Sequence, residues 1–294
     1  MFEGDILMDN EDLLQRIAEQ YKRMSKGQKL IADFILNNYD KAAFMTASKI
    51  GQKVGVSEST VVRFANMLGY EGYPQLQKAL QEVIRNKLTT VQRIEMTSEL
   101  DESTLLKTVS KMDINNIRLT VEEINKEVFN RVVDRIFSAR SIYVLGLRSA
   151  APLAQFMGYY LSFIFEKVRV VTSGVNDILE QLIHIQPQDL LIGISFPRYA
   201  RRTVEAMAFA KNKGAETVAI TDSLLSPLTS YADHILLARS DMASFVDSLV
   251  APLSLINALI VAVGIRKKAD ISSDFQELER IWGEYGVYIG KDGS

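Results

Sequence analysis

Between residues 57 and 68 the apolar positions Val61, Phe64, Ala65 and Leu68 fall within about 100° of arc at helical pitch, while Ser59, Arg63 and Asn66 point the other way. This pattern predicts an amphipathic helix of roughly eleven residues with one face on a core. Ser57 is its expected N-cap, because the hydroxyl can accept a hydrogen bond from an orphan first-turn N–H, and Gly69 supplies a left-handed stop. The same period marks helices over "NEDLLQRIAEQYKRM", over "KGQKLIADFILNNY" after the cap Ser25, and over "ASKIGQKV" after the cap Thr46. A further helix is expected in "YEGYPQLQKALQEVIRN", with Pro74 in its first turn. The pair 46–54 and 57–68, joined by Gly55 and Val56, has the spacing of a helix-turn-helix.

Residues 88–103, "LTTVQRIEMTSELDES", lose the apolar period and gain small polar groups. They predict a linker between an all-α domain at 1–87 and a second domain at 104–294. The second domain opens with two helical stretches, "LLKTVSKMDINNIRLTVEEI" and "EVFNRVVDRIFSA". From Ser141 the pattern becomes short β-branched runs, "SIYVLGL", "VRVVT", "DLLIGISF", "ETVAIT" and "HILLA", separated by helical segments. This alternation predicts a doubly wound α/β domain with a five-stranded parallel sheet, because parallel neighbours need crossover connections. "SFVDSLVAPLSLINALIVAVGIRKK" is its expected closing helix and "SDFQELERIWGEYG" an amphipathic tail.

Composition narrows the function classes. The 294 residues are 47% hydrophobic and 24% charged, ordinary for a globular chain with room for two domains. There is no cysteine, and His184 and His234 are the only imidazoles, so disulfides and most metal sites are excluded; no metal and no cofactor is expected. The acidic start "MFEGDILMDNEDLLQR" lacks the pattern of a secretion signal. The longest apolar run, 248–265, contains Pro252 and Asn257 and reads as a buried helix, with no membrane contact and a cytoplasmic location expected. The formal charge of −2 hides a local excess: residues 41–93 carry eight Lys or Arg against three Asp or Glu. That basic stretch surrounds the predicted second helix of the helix-turn-helix and supplies attraction for phosphates.

The outward face of that helix carries hydroxyl, guanidinium and carboxamide groups, which suit base edges in a major groove. An ordinary solvated face has the same composition. The candidate DNA contacts are Ser57, Ser59, Thr60, Arg63 and Asn66, with Lys53 on the preceding helix as a phosphate contact. In a parallel sheet, ligands gather at the carboxyl ends of the strands. The loop "GLRSAAP" offers Arg148 and Ser149 there, and "ISFPRYARRT" offers Ser195, Arg198, Tyr199, Arg201, Arg202 and Thr203. Hydroxyls, guanidiniums and free N–H groups at helix starts suit a phosphorylated small molecule. Equally, Ser149 and Ser195 read as helix caps beside solvated arginines. His184 reads as a helix-end residue, His234 as a strand entry, Asp177 and Glu180 as a solvated pair, and Glu205 as a group near the mouth of the crevice. Without GxSxG, a P-loop or a full GxGxxG, nothing compels catalysis.

The residues "SESTVVRFANMLGYEGYPQLQKAL", "YVLGLRSAAPLA" and "LLIGISFPRYARRTVEAMAFAKNKGAETVAITDS" resemble those of RpiR-type bacterial transcriptional regulators. Ser57, Thr60, Val61, Val62, Arg63, Phe64, Leu68, Gly69, Gly72 and Leu76 carry the strongest part of the likeness, which spans residues 10–285. The resemblance implies a helix-turn-helix domain joined to a sugar isomerase (SIS) domain. It also implies a homodimer or homotetramer whose affinity for double-stranded operator DNA changes when a sugar phosphate binds. Two loops depart from the family's commonest pattern. Where the first usually has a second glycine and a serine, this chain has Arg148 and Ala150, and where the second reads Ser-x-Ser-Gly-x-Thr, Ser195 is followed by Phe196, Pro197, Arg198, Tyr199 and Ala200.

The sequence therefore supports a non-enzymatic regulator that senses a phosphorylated sugar or a related anion, with Arg148, Ser149, Ser195, Arg198, Tyr199 and Thr203 as effector contacts. A sugar-phosphate isomerase or lyase is the alternative, with only Glu205 and His184 to offer as acid and base. In a third reading the SIS domain is an oligomerisation platform. A twofold dimer, joined through the closing helix at 244–267 and the tail around Trp282, predicts an inverted-repeat operator.

Overall fold

The computed structural model describes residues 11–43, 45–87, 94, 102–242 and 246–289. The chain divides into two compact units, Met1–Ser98 and Glu99–Ser294. Of the expected linker at 88–103, only Ile94, Glu102 and Ser103 lie within the described residues, the last two in the 3-10 turn Glu102–Thr104.

The first unit is helical, and its helix ends follow the polar punctuation of the sequence. Helix α1 spans Glu11–Gln20 and α2 Lys26–Asn37. Ser25 caps α2 in a reciprocal box: its hydroxyl accepts from the Gln28 amide while the Gln28 side chain accepts from the Ser25 amide. The expected run through Tyr39 does not form. Asn38 leaves the helical region at φ −142°, and a separate turn, α3, covers Tyr39–Ala42. Asn37 and Asn38 donate their side-chain amides to the carbonyls of Asp33 and Phe34, so the polar pair terminates the helix it was expected to extend.

Helix α4, Ala47–Val54, is capped by Thr46 and stops at Gly55, whose φ of 74° is left-handed. Helix α5 covers Glu58–Met67 and α6 Tyr73–Lys87, with Pro74 in its first turn. Val61, Phe64, Ala65 and Leu68 are buried as the stripe predicts, and α5 packs on α2, α4 and α6. Tyr73 ties α6 to the preceding loop by donating its hydroxyl to the carbonyl of Met45 at 2.6 Å, and burial pushes its phenol pKa up to about 12.

The second unit opens with α7, Leu105–Glu123, and α8, Lys126–Ser138. Its sheet consists of β1 Ile142–Gly146, β2 Val168–Val171, β3 Leu190–Ile194, β4 Glu216–Thr221 and β5 His234–Leu237. The order is β2-β1-β3-β4-β5 and every neighbouring pair is parallel. Successive side chains alternate between two cores. Ile142, Val144 and Ile192 join Val132 of α8, Met157 of α9 (Ala151–Ser162) and Leu259 of α12 (Val250–Arg266). Tyr143, Leu145 and Leu191 face α10, Ile178–Gln181, and α11, Arg201–Asn212. The sheet is thus covered on both faces, as parallel sheets require.

The closing helix starts later than its apolar run suggests. Ser248 Oγ hydrogen-bonds Asp113 Oδ1 of α7 at 2.6 Å, which holds the chain off the helix until Val250; residues 243–245 lie outside the described residues. The last helix, α13, spans Lys268–Glu284. Trp282 is half-buried and lies edge-on to Phe163 and Tyr288 at 6.0 and 5.3 Å between ring centroids. Among the described residues no helix is long and apolar enough to cross a membrane.

Candidate functional site

In the first unit the candidate contacts gather on one exposed face. Ser57 Oγ accepts from the Thr60 amide at 3.3 Å, which makes it the N-cap of α5. The same oxygen lies 2.9 Å from both Ser59 Oγ and Thr60 Oγ1, so three hydroxyls cluster at the positive end of the helix dipole. Arg63 and Asn66 are exposed further along the helix, and Arg63 Nε donates to the Ser59 carbonyl at 3.3 Å. That bond folds the guanidinium against its own helix. Lys53 is exposed in the last turn of α4.

In the second unit the loops after β1 and β3 end neighbouring strands, with Gly146 opposite Ile194 in register. A Cβ on Gly146 would meet the Ala150 carbonyl oxygen at 2.6 Å, so only glycine lets the chain turn back this tightly. The loop continues into a 3-10 turn, Arg148–Ala150, with Arg148 at φ 54° and Ser149 exposed. After β3, the Ser195 amide extends the sheet by donating to the Ile220 carbonyl at 3.2 Å, and its side chain is buried. Arg198, exposed, stands at φ 66°. Arg148 and Arg198 are the two non-glycine residues with positive φ among the described residues. Each left-handed placement costs roughly 1–3 kcal/mol, and such strain concentrates at ligand sites.

Neither Ser149 nor Ser195 is a helix cap, which corrects one of the two readings of these residues. Ala150 and Ala200 hold the N-cap positions of α9 and α11, and neither makes a side-chain cap bond. Thr203 is wholly buried on the sheet side of α11, and its Oγ1 has no hydrogen-bond partner. It therefore lies beneath the crevice surface. Tyr199 donates its hydroxyl to Asp222 Oδ1 at 2.8 Å, and Thr221 Oγ1 donates to the same oxygen at 3.4 Å. Asp222, buried directly after β4, was missed in the sequence, although a carboxylate ending the run "TVAIT" marks a polar strand end.

All the remaining candidates but His184 have structural partners. Arg201 and Arg202 both bind Glu205, at 2.8 and 3.1 Å, and Arg202 also approaches Asp177 at 3.6 Å. The hydrogen bond from Arg201 holds the Glu205 carboxyl below its usual pKa, opposite to the shift a general acid needs. Asp177 and Glu180 form the capping box of α10. His234 Nε2 lies 2.9 Å from Glu216 Oε1, and His184 is exposed.

A short-turn helix pair in one unit and a doubly wound parallel sheet in the other are the architecture of a helix-turn-helix transcriptional regulator with an attached α/β domain. The family model of the rpiR-family helix-turn-helix domain matches residues 11–87, and that of the SIS domain matches residues 135–262. An HTH-type transcriptional regulator of Haemophilus influenzae is 27% identical over 274 residues, covering 90% of this chain and 94% of the relative. The sugar isomerase domain of an RpiR transcription factor from Sphaerobacter thermophilus superposes with a TM-score of 0.58 at 31% identity, covering 60% of this chain and 99% of that one. Vibrio vulnificus NanR, solved in complex with ManNAc-6P, shares the fold over 95% of this chain and 100% of its own, with a TM-score of 0.57 at 20% identity. The chain belongs to the RpiR family of transcriptional regulators.

Proposed function

We propose that α5 reads operator DNA and that the crevice formed by residues 146–150 and 195–203 binds a phosphorylated sugar or similar anion whose occupancy changes operator affinity. The observation that carries the sensing half is the pair of strained arginines, Arg148 and Arg198, in the loops ending two hydrogen-bonded strands. The structural neighbour solved with ManNAc-6P supports the same ligand class. In this reading Ser149, Ser195 and Tyr199 supply hydroxyls, Thr203 supports the loop from below, and residues 88–103 tether the domains of a cytoplasmic homodimer or homotetramer on an inverted-repeat operator. In this reading the protein regulates and does not catalyse: Glu205, the candidate acid or base, is engaged by two arginines. Thermal melting and operator binding in the presence of glucose 6-phosphate, N-acetylmannosamine 6-phosphate and other sugar phosphates test this. The expected result is stabilisation together with a change in operator affinity. Stabilisation without such a change leaves the domain an oligomerisation platform, and turnover of a sugar phosphate restores the isomerase reading.

A further inference from the structure

We propose that α7 is a latch that carries the state of the crevice to the helix-turn-helix unit, an inference that rests on the crevice being the effector site. A helix that packs on a core ordinarily does so through an apolar stripe. In α7 the buried residues are instead Asn116 and Thr120, whereas Leu105, Leu106, Ile114 and Val121 are exposed. Asp113, Asn116, Thr120 and Glu123, spaced three, four and three apart, share one helical face. All four bond to the segment that follows β5. Asp113 Oδ1 lies 2.6 Å from Ser248 Oγ, and Asn116 Nδ2 donates to the Asp241 carbonyl at 2.9 Å. Thr120 Oγ1 accepts from the Arg239 amide at 2.9 Å, and Glu123 Oε2 from Arg239 Nε at 2.8 Å. Apolar packing has no direction and tolerates sliding, but a hydrogen bond weakens steeply with misalignment. A helix docked in this way is held against one position of its partner segment.

Hydrogen bonds along the sheet edge join this helix to the crevice. Tyr199, in the loop after β3, donates to Asp222 Oδ1 at 2.8 Å, and Asp222 directly follows β4. The carbonyl of Thr221, the last residue of β4, accepts from the Ala238 amide at 2.8 Å, and the next amide, that of Arg239, donates to Thr120. Thr120 Oγ1 in turn donates to the Asn116 carbonyl at 2.7 Å. Asn116 Oδ1 is buried and, among the described residues, has no hydrogen-bond partner. A buried acceptor left open weakens the docked arrangement and so lowers the cost of leaving it. Because α7 begins just after residues 88–103, its release changes the anchor of the chain that leads to the reading helix. An effector that displaces Tyr199 thereby opens the latch, and the open latch sets a different operator affinity.

The chain has no cysteine, so Asp113→Cys with Ser248→Cys creates a single target for a short, reducible bis-thiosulfonate crosslinker that holds the latch closed. Ser248→Ala with Glu123→Gln opens it without altering a fully buried residue. In gel-shift titration without any sugar phosphate, the crosslinked and the opened full-length chains should differ in operator affinity by roughly fivefold or more. Reduction of the crosslink should remove most of that difference, a comparison that stands even if the opened variant does not fold. Glucose 6-phosphate and N-acetylmannosamine 6-phosphate are then added as probes. The parent should move toward the affinity of the opened chain, and the crosslinked chain should stay where it was. By reciprocity, calorimetry should show the crosslinked chain binding the probe more weakly than the opened one, by the same factor. Equal operator affinities of crosslinked and opened chains, or a difference that survives reduction, overturn the latch whatever the probes do. A reducible difference in a protein whose operator affinity ignores both probes upholds the latch and removes the sensing reading beneath it.

Discussion

The Val56 amide donates to the Gly51 carbonyl at 2.8 Å, and the Val56 carbonyl oxygen lies only 2.7 Å from where a Cβ on Gly51 would stand. The short turn between α4 and α5 thus exists because residue 51 has no side chain. Gly51→Ala places a methyl group against backbone, which cannot swing aside. The expected cost is roughly 1–3 kcal/mol of stability in the first unit, together with loss of operator binding through a splayed helix pair. Denaturant unfolding and gel-shift titration check both, and an unchanged midpoint with unchanged affinity would mean that the turn relaxes freely.

Arg63 and Lys53 should fail differently when truncated. The Arg63 guanidinium rests on the Ser59 carbonyl on the exposed face of α5, positioned to swing outward to a base edge. Arg63→Ala is expected to weaken operator binding by about 1–3 kcal/mol and to relax preference at one base pair. Lys53→Ala should weaken operator and random duplex alike and lower the slope of log affinity against log salt by about one. Equal losses on operator and random DNA for Arg63→Ala would remove α5 as the reading helix.

The helix caps and strands were legible because each is signalled locally. Ser25, Thr46 and Ser57 cap where a hydroxyl precedes an apolar period, and the five strands are short β-branched runs. Thr203 is read as an effector contact on its hydroxyl, although it falls in register with Ala206, Met207 and Ala210, the buried stripe of α11. The strain at Arg148 and Arg198 was not legible, because arginine carries no signal of left-handed backbone. Nor was the bond from Tyr199 to Asp222, which joins residues 23 apart through the sheet order. The break at Asn38 needed the side-chain bonds to Asp33 and Phe34 to be known.

Acid stability should depend on one pair that joins a half-exposed arginine to a buried carboxylate. Arg140 Nε and Nη2 hold Asp189 Oδ1 and Oδ2 at 2.9 and 2.7 Å, with the carboxylate fully buried. Burial raises the Asp189 pKa, but the bonds from Arg140 and the Gln186 amide outweigh it and leave the carboxyl below its usual range. A folded pKa below the unfolded value gives stabilisation that is present above the unfolded pKa, about 3.9, and is lost as pH falls through the folded one. Arg140→Gln removes the charge partner and leaves the buried carboxylate without it, which destabilises the fold. The variant should melt lower at pH 7 and unfold at higher pH on acidification, followed by circular dichroism. An unchanged acid midpoint would show that the Gln186 amide and the Ser141 hydroxyl sustain the ionised form without Arg140.

Effector sensing should separate from DNA reading in a double substitution, Ser149→Ala with Ser195→Ala. Neither hydroxyl caps a helix, and the Ser195 amide that extends the sheet to Ile220 is unaffected by the change. Folding should therefore be nearly preserved, within about 1 kcal/mol. Ligand at a hundred times its Kd stabilises the folded parent by about 2.7 kcal/mol, so a clear rise in melting temperature is expected there and a much smaller one in the double variant. The coupling between crevice and operator is expected at about 1–3 kcal/mol in the parent and near zero in the variant, because the ligand cannot shift an equilibrium it no longer distinguishes. Operator affinity without ligand should be the same in both, since neither serine lies in the helix-turn-helix unit. A double variant that retains the parent's full response to sugar phosphate would place the effector contacts elsewhere on the second unit.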